Sequence, residues 1–147
     1  MTMRALLLGD VVGGPGRDIL TRKLAALRQK RQVDFCIANV ENASGGSGLT
    51  VANAREILAA GVDVMTMGDH VWKRKEIVPF IEREPRLLRP LNLSPLASGA
   101  GVGVYTLPSG VQIAVLDLLG RVFMKPVDDP FRATDEALRQ VAAHTSS

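Results

Sequence analysis

Five side chains that carry oxygen or nitrogen donors, Asp10, Glu41, Asn42, Asp69 and His70, follow directly on short apolar runs at residues 3–8, 35–40 and 62–67. Carboxylates, a carboxamide and an imidazole are the donors that divalent cations take, and clustered carboxylates without a cation would repel one another. The pattern points to a metal site. Each turn also has a plainer explanation on its own. Asp10 can ligate an ion or cap the turn that follows it, Glu41 and Asn42 can bond to neighbouring backbone amides, and His70 can be a structural hydrogen bonder. Recurrence at three equivalent positions is what favours the metal.

The elements that would position these residues are read from periodicity. The three runs are too short and too rich in Val, Ile and Leu for amphipathic helices, and helix-like sequence separates them. They are expected to be parallel, buried strands, with all three turns at the carboxyl edge, where open α/β sheets bind ligands. A turn at Gly13-Gly14-Pro15-Gly16 leads into a helix expected over residues 17–32. Leu20, Leu24 and Leu27 recur on one face of that helix. Arg17, Arg22, Lys23, Arg28, Lys30 and Arg31 occupy the other, read as a solvated face rather than a nucleic-acid stripe.

Residues 43–48 read as a flexible loop, Thr50 as the N-cap of a helix through Ala60, and Gly61 as its stop. A short helix over 76–83 ends at Pro85, and a fourth short strand follows at 87–90. After a loop at 92–101, residues 102–107 and 111–116 flank Pro108-Ser109-Gly110 as a β-hairpin. Thr134 is expected to cap a last helix over 135–143, leaving 144–147 as a fraying tail. The fold class is α/β, a β-α-β-α-β first half with a largely parallel sheet, then a hairpin and a helix.

At 147 residues the chain fits one domain, 1–147, long enough to bury a core without disulfides. Net charge is only +3, with acids and bases interspersed, and Trp72 and Tyr105 are the only aromatics with a polar handle, so long nucleic acid is not indicated. The single cysteine, Cys36, lies in the second expected strand and is read as a small buried side chain. With no signal-peptide pattern and no run of about 20 apolar residues, a soluble cytoplasmic protein without membrane contact is expected. The glycines at 9, 13, 14 and 16 could admit a phosphate near a helix N-terminus. Their spacing matches neither the dinucleotide fingerprint nor the Walker loop, which disfavours a dinucleotide-binding oxidoreductase.

Several motifs together resemble a known family. Gly9-Asp10-Val11-Val12-Gly13-Gly14-Pro15-Gly16-Arg17-Asp18, Glu41-Asn42-Ala43, Gly68-Asp69-His70-Val71-Trp72 and Arg89-Pro90-Leu91-Asn92 are similar to the YmdB-like family of calcineurin-type metallophosphoesterases. Leu119-Gly120-Arg121 and Asp128-Asp129-Pro130-Phe131 extend the resemblance over nearly the whole chain. It implies an α/β/β/α sandwich and a phosphodiesterase acting on 2′,3′-cyclic nucleotides through a dinuclear centre of Fe, Mn or Mg. It also implies that Asp10 and Asn42 bind one metal, Glu41 bridges both, Asp69 binds the second, and His70 donates a proton to the leaving oxygen. Two cations about 3.5–4 Å apart can clamp a phosphodiester and activate water, and an imidazole with a reference pKa of about 6.5 can supply the proton near neutrality.

The resemblance carries two departures. The family has Gly-Asn-His where this chain has Gly68-Asp69-His70, an added negative charge at the second metal. The family's later metal-binding histidines lie in a C-terminal portion, whereas this chain has only His70 and His144. The expectation is a truncated sandwich whose uncovered apolar faces favour a homo-oligomer or a poorly stable chain. The alternative function is a catalytically incomplete fragment that binds a nucleotide or a protein.

Overall fold

The computed structural model describes residues 3–145. Four strands, β1 (Ala5–Leu8), β2 (Phe35–Asn39), β3 (Val64–Thr66) and β4 (Leu87–Leu88), lie side by side in chain order, every neighbouring pair parallel. Parallel neighbours require crossovers. These are α1 (Gly13–Arg31), α2 (Val51–Ala59), and a 3₁₀ turn at Lys75–Ile77 running into α3 (Val78–Ile81).

Alternation along the strands divides the core in two. Cys36, Ala38, Met65 and Leu87 face the helices and meet Leu20, Leu24, Ile57 and Ile77. Phe35, Val64 and Leu88 face the other way, against Tyr105, Ile113 and Val115 of an antiparallel hairpin, β5 (Val102–Thr106) and β6 (Gln112–Leu116). The Phe35 and Tyr105 rings are 5.7 Å apart, centre to centre. Leu88 also bridges to Ala100, tying the hairpin's lead-in to the parallel sheet. The last helix, α4 (Pro130–Thr145), lies against β6. The result is a mixed α/β fold with a parallel sheet. Removing a side chain such as Ile57, 1% exposed, by truncation to Ala would cost about 2–5 kcal/mol.

Several expectations need correction. Strand β1 is not buried: Leu6 and Leu8 meet the helix-side core, but Leu7 is 72% exposed, because β1 is the sheet's edge and the hairpin covers only β2 to β4. Helix α1 begins at Gly13 rather than after a separate glycine turn, and Leu27 is partly exposed while Leu20 and Leu24 are buried. Arg17 and Arg28 are not part of a free solvated face. Arg17 pairs with Glu56 and Arg28 with Asp63, so both tie α1 to neighbouring segments.

The final helix starts at Pro130, not Asp135, and its cap is Asp129, whose Oδ1 accepts from the N–H groups of Phe131 and Arg132. Thr134 instead donates to the Pro130 carbonyl inside that helix. Residues 144 and 145 continue the helix, and 146–147 of the expected tail lie outside the described residues. The Thr50 cap holds, with its hydroxyl accepting the Asn53 N–H. Cys36 is fully buried, and burial pushes its thiol up to about 11. Among the described residues no helix is long and apolar enough to cross a membrane.

Candidate metal centre

At the carboxyl edge each strand passes a backbone hydrogen bond to the next beyond the regular ladder. Val11 N–H donates to Asn39 O at 3.0 Å, Val40 N–H to Thr66 O at 2.9 Å, and Met67 N–H to Leu88 O at 3.1 Å. The three turns are thus held in register, and the side chains that follow must converge.

Glu41, Asp69 and His70 do so, each offering one donor atom, with all three atoms within 4.8 Å of one another. Glu41 Oε2 accepts the His70 backbone N–H at 3.1 Å, which fixes the turn after β3 against the turn after β2. Asp10 joins through Asn42. The Asn42 carboxamide donates from Nδ2 to Asp10 Oδ2 at 2.7 Å, and its Oδ1 lies 2.6 Å from His70 Nδ1. Asp69 Oδ2 stands 3.7 Å from His70 Nε2. All five residues singled out in the sequence therefore share one edge. Three form the compact donor group, and Asp10 and Asn42 form a hydrogen-bonded arm reaching His70.

The loop at 43–48, expected to be flexible, is pinned. Arg74 donates to the carbonyls of Ser44 and Ser47, the Asn42 carbonyl accepts from Gly13 and Gly46 N–H, and buried Ser44 Oγ accepts the Thr50 N–H at 2.8 Å. Its glycines at 45, 46 and 48 take positive φ, which lets the chain turn tightly enough for these bonds to form. Gly48 N–H closes back on the Glu41 carbonyl at 2.6 Å. A tethered loop keeps Glu41 and Asn42 in place.

Gly68 is small for a reason of space. A Cβ there would run into the Glu41 carboxylate, so this glycine is the recess in which the carboxylate sits. Burial pushes the Glu41 carboxyl above its ordinary value. The adjoining Asp69 carboxylate adds to this rise, while the His70 N–H opposes it. Two carboxylates that crowd in this way fit a divalent cation, because one positive centre would neutralise both acids, with the His70 imidazole standing beside them.

Asp117 escaped the sequence reading. It is 6% exposed at the end of β6, and its Oδ2 accepts the Met67 N–H at 2.9 Å, bracing the strand that leads into Asp69 and His70. Burial pushes its carboxyl up to about 7, with the Glu41 charge adding to the rise and Arg89 opposing it. The signal was present: the apolar run at 111–116 ends in a carboxylate just as the other three do. Being in a hairpin rather than a parallel strand hid the equivalence. Buried Asn92, the last residue of the Arg89-Pro90-Leu91-Asn92 motif, ties the neighbouring loops together, donating to Leu119 O and Asp128 O and accepting the Leu119 N–H.

Comparison with known proteins places the chain in a family and matches its fold. A family model described as "YmdB-like protein" matches residues 6–147. The chain is 42% identical over 143 residues to the 2′,3′-cyclic-nucleotide 2′-phosphodiesterase of Bacillus subtilis (strain 168), covering 97% of this chain and 54% of that protein. Among solved structures, a hypothetical protein from Thermus thermophilus superposes with a TM-score of 0.87 at 39% identity, over 93% of this chain and 53% of that one. A novel phosphatase from Mycoplasma pneumoniae gives the same TM-score at 32% identity, over 95% and 52%. The chain spans about half the length of the relatives it matches.

Proposed function

Since this chain belongs to the YmdB-like family, we propose that it forms one metallophosphoesterase-like domain and carries the metal-holding part of a phosphodiesterase acting on 2′,3′-cyclic nucleotides. The observation that carries the reading is the meeting of the Glu41, Asp69 and His70 donor atoms at the ends of adjacent strands. Asp10 and Asn42 would hold one divalent ion (Fe, Mn or Mg), Glu41 would bridge to a second, and Asp69 would hold that second ion. Asn42 Oδ1 keeps a lone pair for this beside His70 Nδ1. When bound, such ions supply Lewis acidity toward phosphoryl oxygens and an activated water.

The chain's own residues orient and protonate. With Nδ1–H held by the Asn42 carbonyl oxygen, His70 presents Nε2 outward, and as imidazolium it would give its Nε2 proton to the leaving oxygen as the P–O bond breaks, leaving neutral imidazole with its proton on Nδ1. Exposed Leu7 on the open β1 face supports self-association as a further property.

The test is calorimetry with Mn²⁺ together with turnover of bis-p-nitrophenyl phosphate and 2′,3′-cyclic AMP. Mn²⁺ binding that is lost in Asp10→Ala and Glu41→Ala, with turnover lost in His70→Ala, supports the assignment. Equal rates in wild type and His70→Ala would remove the acid role. A second reading, a nucleotide-binding module without turnover, is favoured by the donor group's holding one histidine, with His144 the chain's only other. Mn²⁺ or nucleotide binding with no hydrolysis of either substrate selects it.

A further inference from the structure

Beside Asp69 the surface changes from acidic to apolar and aromatic. A cleft of about 330 Å³ opens there, walled by Trp72 and Lys73 from the turn after β3 and by Phe123, Met124 and Lys125 from the segment after β6. That volume is at the lower end of the roughly 300–1,000 Å³ of small-molecule sites, suited to one heterocycle rather than a polymer. Phe123 is fully exposed, and its backbone is held at φ 57°, a left-handed conformation that bulky residues rarely adopt. A fully solvated phenyl ring on a strained backbone gains nothing from folding, and such outliers gather at ligand clamps. Trp72, 38% exposed, lines the same cleft.

Resting on the phosphodiesterase reading above, we propose that this cleft is the base subsite of the same centre, taking the purine ring of a nucleoside phosphate between Trp72 and Phe123. Aromatic faces accept any base by stacking, and the two cations that line the cleft, Lys73 and Lys125, complement the anionic part of such a ligand. Asp69 lines the cleft as well as the metal group, so a nucleotide seated here would have its phosphate at the cations and its ring on the aromatics. A protein partner would want a broad apolar face; a cleft lined by a carboxylate and two lysines matches a small polar heterocycle better.

Trp72 is the only tryptophan of the chain, so its emission reports on this cleft. Adenosine, which has no phosphate, should quench Trp72 saturably without added metal, and ribose 5-phosphate should not. Phe123→Ser, at a fully exposed position that the fold does not need, should weaken adenosine at least about fivefold, the loss of one stacking partner. The same variant should leave Mn²⁺ affinity within about twofold. Absence of quenching, equal quenching by ribose 5-phosphate, or unchanged adenosine affinity in Phe123→Ser would each overturn the proposal. So would sedimentation showing a dimer that Phe123→Ser dissolves while adenosine stays silent, which would make the face a contact between copies. Adenosine quenching with no Mn²⁺ binding would support the subsite and remove the metal reading instead, so the two failures are distinguishable.

Discussion

The imidazole of His70 is locked to the carboxamide of Asn42, Nδ1 to Oδ1 at 2.6 Å, and the other end of that carboxamide holds Asp10. A carbonyl oxygen can only accept, so the proton sits on Nδ1 and the outward nitrogen is Nε2. One amide thus sets both the orientation of the acid and the position of a carboxylate two strands away. Asn42→Ala should therefore weaken Mn²⁺ binding roughly tenfold or more, the usual scale for losing an orienting partner. Calorimetry checks it, and an unchanged affinity would show that the arm to Asp10 is idle.

Gly68→Ala separates fold from site. The three atoms nearest to the added methyl all belong to the flexible end of Glu41, so the chain should keep its circular dichroism and melt within a few degrees of wild type. The displaced carboxylate should nonetheless abolish Mn²⁺ binding. Retained affinity would place the Glu41 carboxylate outside the metal group.

Asp117 makes a pH-dependent contribution. Its carboxyl rises from 3.8 to about 7 in the folded chain, so between those values the folded state holds a proton that the unfolded state has released. The associated stability is present near pH 4 and is lost as pH rises through about 7. Asp117→Asn keeps an acceptor oxygen for the Met67 N–H and removes the charge. Urea denaturation should show it more stable than wild type at pH 8, on the order of a few kcal/mol, with little difference at pH 4. An equal gain at both values would mean that the carboxylate is not the cause.

Leu7 tests the open edge. Lysine at edge strands discourages pairing with another chain. If the β1 face mediates self-association, sedimentation of Leu7→Lys should show a smaller species than wild type at the same concentration, with the melting temperature little changed because Leu7 is 72% exposed. Identical sedimentation would place any assembly elsewhere.

Much of this was readable from local order. Short apolar runs ending in Asp10, Glu41-Asn42 and Asp69-His70 reveal parallel strands and their shared edge, because strand length, branching and turn chemistry are properties of neighbouring residues. The hairpin pairing and the Thr50 cap were legible for the same reason. The limits of α1 and α4 were not, since the glycines after β1 enter a helix only once the turn after β2 accepts the Gly13 N–H through the Asn42 carbonyl.

What the chain's order determined alone is the repertoire: which side chains carry donors, and that the three turns recur at strand ends. What only the tertiary structure decided is who meets whom. The exposure of β1 depends on how far the hairpin reaches across the sheet, and the burial of Asp117 on a contact between residues 50 apart in sequence. The presence of Trp72 and Phe123 in the lining of one cleft likewise joins two distant segments. Contacts of that range arise from how layers stack, and no window along the sequence contains both partners.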